Sequence, residues 1–149
     1  MSEEPGFIVK FYDKQYEELN IIELVNSPVE SISGVSDGDA KKLKKAFNIE
    51  TVFDFATNKY IKYAQAITSF SEISDELLDQ EFEAKGIVEL ADQPVYAIQG
   101  VSKEDATLLR EAFNIKTIKD LALNKYVIIA EMTVNLAALV EMLLESGVI

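Results

Sequence analysis

The chain repeats itself. Aligning Pro28 with Pro94 sets an offset of 94 − 28 = 66 residues, which holds without a gap from about Phe11 onward. Ile21-Ile22-Glu23-Leu24 matches Ile87-Val88-Glu89-Leu90, Ala46-Phe47-Asn48-Ile49 matches Ala112-Phe113-Asn114-Ile115, and Asn58-Lys59-Tyr60 matches Asn124-Lys125-Tyr126. Even the lead-in fits, with Asp13-Lys14-Gln15-Tyr16-Glu17 set against Asp79-Gln80-Glu81-Phe82-Glu83. Roughly half of the aligned core positions are identical, far above the chance level of a repeat search. Two units are expected, 1–72 and 73–149. Each is near the size at which a lone core is marginal, so the two are expected to pack together.

Within a unit the period is helical. Pro28 suits the first turn of a short helix that stops at Gly34. Ser36 then caps a second helix, with Asp39 three residues on as the acid of a capping box. Ala40, Leu43 and Phe47 share one buried face, whereas Lys41, Lys42, Lys44 and Lys45 flank it and should be solvated. Asn48 follows as a left-handed C-terminal cap. Thr51 with Asp54 starts a third helix, and Asn58 caps a fourth. Ser102, Asp105, Asn114, Thr117, Asp120 and Asn124 hold the same roles in the second unit.

The fourth helix differs between copies. In the first, Tyr60, Ala64, Ile67 and Ile73 make a one-sided stripe. In the second, residues 126–144 are apolar nearly all round, with a thin polar strip at Glu131, Asn135 and Glu145. Such a helix needs neighbours on several sides, so a central position between both units is expected. The alternative is an exposed apolar side that serves as a dimer or partner surface. Glu72, Asp75, Glu76 and residues 79–83 read as the wet face of the helix joining the units.

Composition removes several kinds of chemistry. Cysteine and histidine are both absent. Thiol nucleophiles, disulfides, Cys/His zinc sites and imidazole acid–base catalysis go with them. The carboxylates show no calcium-loop spacing and no convincing acid–base pair. The expectation is a non-enzymatic chain without cofactor or metal. Hydrophobic residues at 48% and charged residues at 27% give an ordinary globular balance. The 26 acids against 14 Lys and Arg leave a net charge of −12, a field that repels polyanions. The acidic start, Met1-Ser2-Glu3-Glu4-Pro5, is no signal peptide. Residues 126–144 are interrupted by Glu131, Asn135 and Glu141, which argues against a bilayer span. A cytoplasmic protein with no membrane partner is expected.

The stretch Ile32-Ser33-Gly34-Val35-Ser36-Asp37-Gly38-Asp39-Ala40 and its copy, residues 98–106, resemble the helix-hairpin-helix motif, hydrophobic-x-Gly-hydrophobic-Gly-x-x-x-Ala. Ile32, Gly34, Val35 and Ala40 match it, as do Ile98, Gly100, Val101 and Ala106. The continuation Leu43…Phe47-Asn48-Ile49…Thr51 is similar to tandem helix-hairpin-helix domains and to the C-terminal domain of the bacterial RNA polymerase alpha subunit. The resemblance implies an all-α protein of two tandem helix-hairpin-helix (SAM-like) units, each of four to five helices.

It also implies a site. Such hairpins commonly grip a DNA phosphate through backbone N–H groups, which requires Gly where the backbone comes close. Here the second Gly of the motif is Ser36 or Ser102. Asp37 and Asp39, or Glu104 and Asp105, follow in the first helical turn, where they suit the dipole and repel phosphate.

Two residue groups remain as candidates. Gly34, Val35 and Ser36 with Lys41, Lys42 and Lys45 (and Lys44 beside them) would contact nucleic acid. Their bland reading is a solvated helix face, and unit two has Thr107, Leu108, Arg110 and Glu111 where unit one has its four lysines. Lys59, Tyr60, Lys125 and Tyr126 would form a repeated interaction spot. Their bland reading pairs each Lys with Asp54 or Asp120 and sets each Tyr in the core. The preferred function is a protein-interaction or scaffold module. Nucleic acid is disfavoured as a partner, and a homodimer through residues 126–144 is the further option.

Overall fold

The computed structural model describes residues 8–77 and 89–149, with side chains through Ser74 in the first stretch. The lead-in match at residues 79–83 and the proposed wet face there lie outside the described residues, as do the side chains of Asp75 and Glu76. Seven α-helices lie wholly among the described residues, in order: α1 (Ile21–Val25), α2 (Asp37–Phe47), α3 (Val52–Thr57), α4 (Lys59–Leu77), α5 (Lys103–Phe113), α6 (Ile118–Ala122) and α7 (Lys125–Glu145). Short 3-10 turns occupy Ile8–Phe11, Lys14–Tyr16, Val29–Ser31 and Val95–Ala97. No β-strand occurs among the described residues; three isolated bridges, such as Pro28 with Thr51 and Pro94 with Thr117, tie turns together.

The caps form where the sequence places them. Ser36 Oγ accepts from the Asp39 amide at 3.0 Å, and Asp39 Oδ2 accepts from the Ser36 amide at 3.1 Å. Ser102 and Asp105 repeat both bonds. Thr51 with Asp54 and Thr117 with Asp120 do the same for α3 and α6. Each such cap contributes about 1 kcal/mol. Asn58 and Asn124 accept amide bonds at the starts of α4 and α7. Asn48 and Asn114 close α2 and α5 at φ 58°, in the left-handed region. Ala40, Leu43 and Phe47 are buried as their spacing requires.

The triads α2–α4 and α5–α7 are structurally alike, and they interlock. Helix α2 packs against α5; α3 packs against α7; α4 packs against α6. The largest helix interfaces therefore lie between units, and each unit's long helix covers the other's short one. Gln65 Nε2 donates to Glu131 Oε1 at 2.7 Å across α4 and α7. The 66-residue offset equates these two positions, so an approximate two-fold axis passes between them. Lys62 adds a 2.6 Å ion pair to Glu131 on the same seam.

Two expectations change. Among the described residues, helix α7 is not sandwiched between the units: it rests on α3 and α1, and its outer side is exposed. Val127, Ala130, Thr133 and Ala137 are buried, whereas Ile128, Met132, Leu136 and Leu139 form an exposed apolar stripe. On α4, Ile73 is 42% exposed and outside the core. The buried face runs through Ala64, Thr68 and Ser74, out of register with Ile73.

Candidate functional site

The hairpin glycines stand at φ +98° (Gly34) and +97° (Gly100), where L side chains are strained. The space beside them is occupied. A Cβ on Gly34 would meet the Tyr126 hydroxyl at 2.5 Å, and one on Gly100 would meet the Tyr60 hydroxyl at 2.8 Å. Each hairpin thus receives the tyrosine that opens the long helix of the opposite unit. Tyr60 packs on Phe47 at 5.0 Å between ring centroids, and Tyr126 on Phe113 at 5.1 Å. The gap left by the missing Cβ is filled by protein.

The loop donors are also engaged. The Val35 and Val101 amides donate to the carbonyls of Ile32 and Ile98 at 3.0 Å. The Ser36 and Ser102 amides go to the capping carboxylates of Asp39 and Asp105. A phosphate reaching for these two N–H groups would compete with a carboxylate already in place.

The sequence-singled lysines do not act together. Lys44 donates to Glu50 and to Asn48. Lys45 reaches Glu104 of the other unit at 3.4 Å. Lys42 is half-buried and Lys41 exposed. Lys59 and Lys125 are not paired with Asp54 and Asp120, whose Oδ2 atoms accept from the backbone amides of residues 50–51 and 116–117. The two ammonium groups lie instead over the neighbouring tyrosine rings, 5.1 Å from the Tyr60 centroid and 5.0 Å from that of Tyr126. Cation–π contact with a half-buried ring explains a Lys at a helix start, where the dipole alone disfavours it.

Three open surfaces stand out among the described residues. An apolar groove of about 430 Å³ runs between Phe11, Tyr126, Ile129 and the Ile128–Met132 side of α7. It is continuous with the exposed stripe, which extends through Leu136, Leu139 and Met142. By length and composition alone, an 18-residue window within Ile118–Glu145 is apolar enough to cross a membrane, with a mean hydropathy of 1.9. The other two surfaces are a repeated groove. In unit one it is lined by Glu30, Asp37, Ala40, Lys41, Lys44, Ile49 and Glu50, with a volume of about 580 Å³. In unit two Tyr96, Lys103, Ala106, Thr107, Arg110, Ile115 and Lys116 line about 330 Å³. Every one of these seven positions is matched by the 66-residue offset.

No three Asp or Glu residues cluster as a metal site among the described residues. Comparison with protein-family models, with curated proteins and with solved structures gives no match. The sequence reading did not single out the repeated groove. Its signal was there in the substitutions between copies: Asp37 to Lys103, Glu50 to Lys116 and Glu30 to Tyr96 each remove an acid.

Proposed function

We propose that the chain is a non-enzymatic protein-interaction or scaffold module built from two degenerate helix-hairpin-helix (SAM-like) units. The observation that carries this reading is the apolar stripe on α7. Ile128, Met132, Leu136, Leu139 and Met142 are between 37% and 63% exposed along one face of α7. A soluble chain rarely leaves so continuous an apolar row to water unless another surface covers it. In unit one the equivalent positions are Lys62, Ala66, Phe70, Ile73 and Glu76, so charged residues replace Ile128 and Met142 at the two ends of the row. The occupied hairpins support the same reading, since they weaken the phosphate-gripping alternative.

The test is affinity capture with the wild-type chain and a Leu136→Lys/Leu139→Lys variant, alongside flotation with phosphatidylcholine vesicles. The expected result is a protein partner retained by the wild type and lost by the variant, with no flotation. Nucleic acid as the main ligand, lost on Lys41→Glu/Lys45→Glu, would reverse the assignment in favour of the hairpin-and-lysine face. Flotation that depends on the stripe would assign it to a lipid surface.

A further inference from the structure

We infer that the groove of the second unit is a docking site for a carboxylate-rich, extended peptide segment of a partner protein. The inference rests on the interaction reading above and deepens it. Its starting point is one groove built twice and charged oppositely. In unit one the groove carries three acids, Glu30, Asp37 and Glu50, against Lys41 and Lys44. In unit two it carries Lys103, Arg110 and Lys116 and no acid. The fold holds the site constant while the formal charge changes from −1 to +3. This happens in a chain whose net charge is −12, where a patch of three unopposed cations runs against the composition.

None of the three cations is ion-paired among the described residues, where none has a carboxylate within 4 Å. Their counterpart Lys44, by contrast, is held by Glu50. Lys103 instead lies over the exposed Tyr96 ring, 5.6 Å from its centroid. Lys116 sits on a fixed backbone: its amide donates to Asp120 at 3.0 Å and its carbonyl accepts from Val95 at 3.1 Å. The floor between them is Ala106 and Ile115.

Spacing selects the ligand. Lys103, Thr107 and Arg110 fall at i, i+4 and i+7 on one face of α5, so the two cations stand about 10 Å apart along the helix axis. A single phosphate is too compact to bridge them. An extended polyproline II segment advances about 3.1 Å per residue with three residues per turn, so acids three apart share one face and lie about 9 Å apart, close to that separation. The groove is open, so it cannot enclose a small molecule as a pocket does. It can seat a chain that enters and leaves at its ends, with Arg110 offering its planar fork to one carboxylate.

The experiment uses the full chain and a fluorescein-labelled peptide of about twelve residues with acids at every third position, read by anisotropy at low salt. An all-serine peptide is the control. Expected is binding that weakens at least about tenfold in Arg110→Glu/Lys116→Glu and in the milder Arg110→Gln/Lys116→Gln, and that falls with added salt. Lys41→Glu/Lys44→Glu should leave it within about twofold, since that groove lies in the other unit. Circular dichroism confirms that the variants remain folded. Absence of binding by the wild type, equal binding by both unit-two variants, or displacement by equimolar inorganic pyrophosphate each overturns the inference. A partner still captured through the α7 stripe in those cases leaves the interaction reading standing. A wild type that captures no protein at all overturns that reading separately.

Discussion

At the scale of single residues, the hairpin glycines carry two requirements at once. Their positive φ excludes a Cβ on steric grounds, and the tyrosine of the other unit excludes it by occupancy. The sequence makes only the first visible, because Gly34 and Tyr126 are 92 residues apart and nothing periodic links them. The two effects can be separated. Gly34→Ala is expected to destabilise the protein by more than about 1 kcal/mol, the usual cost of Ala at a positive φ, with the clash added. Tyr126→Phe removes the hydroxyl that the new methyl would meet. In a double-mutant cycle by urea denaturation, the pair should therefore cost less than the two single changes added together. Additivity within experimental scatter would mean that the ring moves aside freely and that φ alone makes this position glycine.

At the scale of elements, legibility follows how local the cause is. Capping boxes at Ser36, Thr51, Ser102 and Thr117 act over three residues, and the structure forms all four. The same holds for the left-handed caps at Asn48 and Asn114. The environment of α7 was not legible, because an all-round apolar helix is equally compatible with burial and with an exposed stripe. Nor was the tie between its middle and the N-terminal segment. Tyr12 lies against α7, its hydroxyl 2.6 Å from Thr133 Oγ1. Thr133 directs its own proton to the Ile129 carbonyl, so Tyr12 donates. Burial pushes the Tyr12 phenol up from 10.0 to about 12. The unfolded chain thus releases this proton first: the folded state is undisturbed below pH 10 and loses stability as pH rises from 10 towards 12. Tyr12→Phe should cost about 1 kcal/mol at pH 7, for one lost hydrogen bond. Its melting temperature should then fall less steeply than the wild type's between pH 10 and 12, which removes the background from other tyrosines and lysines. Parallel curves would place the Tyr12 phenol at its ordinary value.

At the scale of the whole molecule, the duplication is not two beads on a string. With α2 on α5, α3 on α7 and α4 on α6, neither triad covers its own short helix. The buried cluster likewise runs without a break from Leu24, Leu43 and Phe55 to Leu109, Ile118 and Val127. A single core of this kind implies a single unfolding unit. Leu109 is 1% exposed on α5, the helix that packs against α2. Leu109→Ala should lower global stability by about 2–5 kcal/mol, through lost burial and the cavity left behind. Native-state hydrogen exchange localises the effect. The slowest amides of α2, which belong to the unmutated unit, are expected to lose the same protection free energy as those of α5. If α2 kept its protection while α5 lost it, the units would be separately stable and their interlocking would contribute little to either. Equal loss would instead mean that both copies share one cooperative core, on which the two grooves differ only at their surface. Substitutions at the groove rim leave the seam untouched, and the rim is where Asp37 and Glu50 have become Lys103 and Lys116.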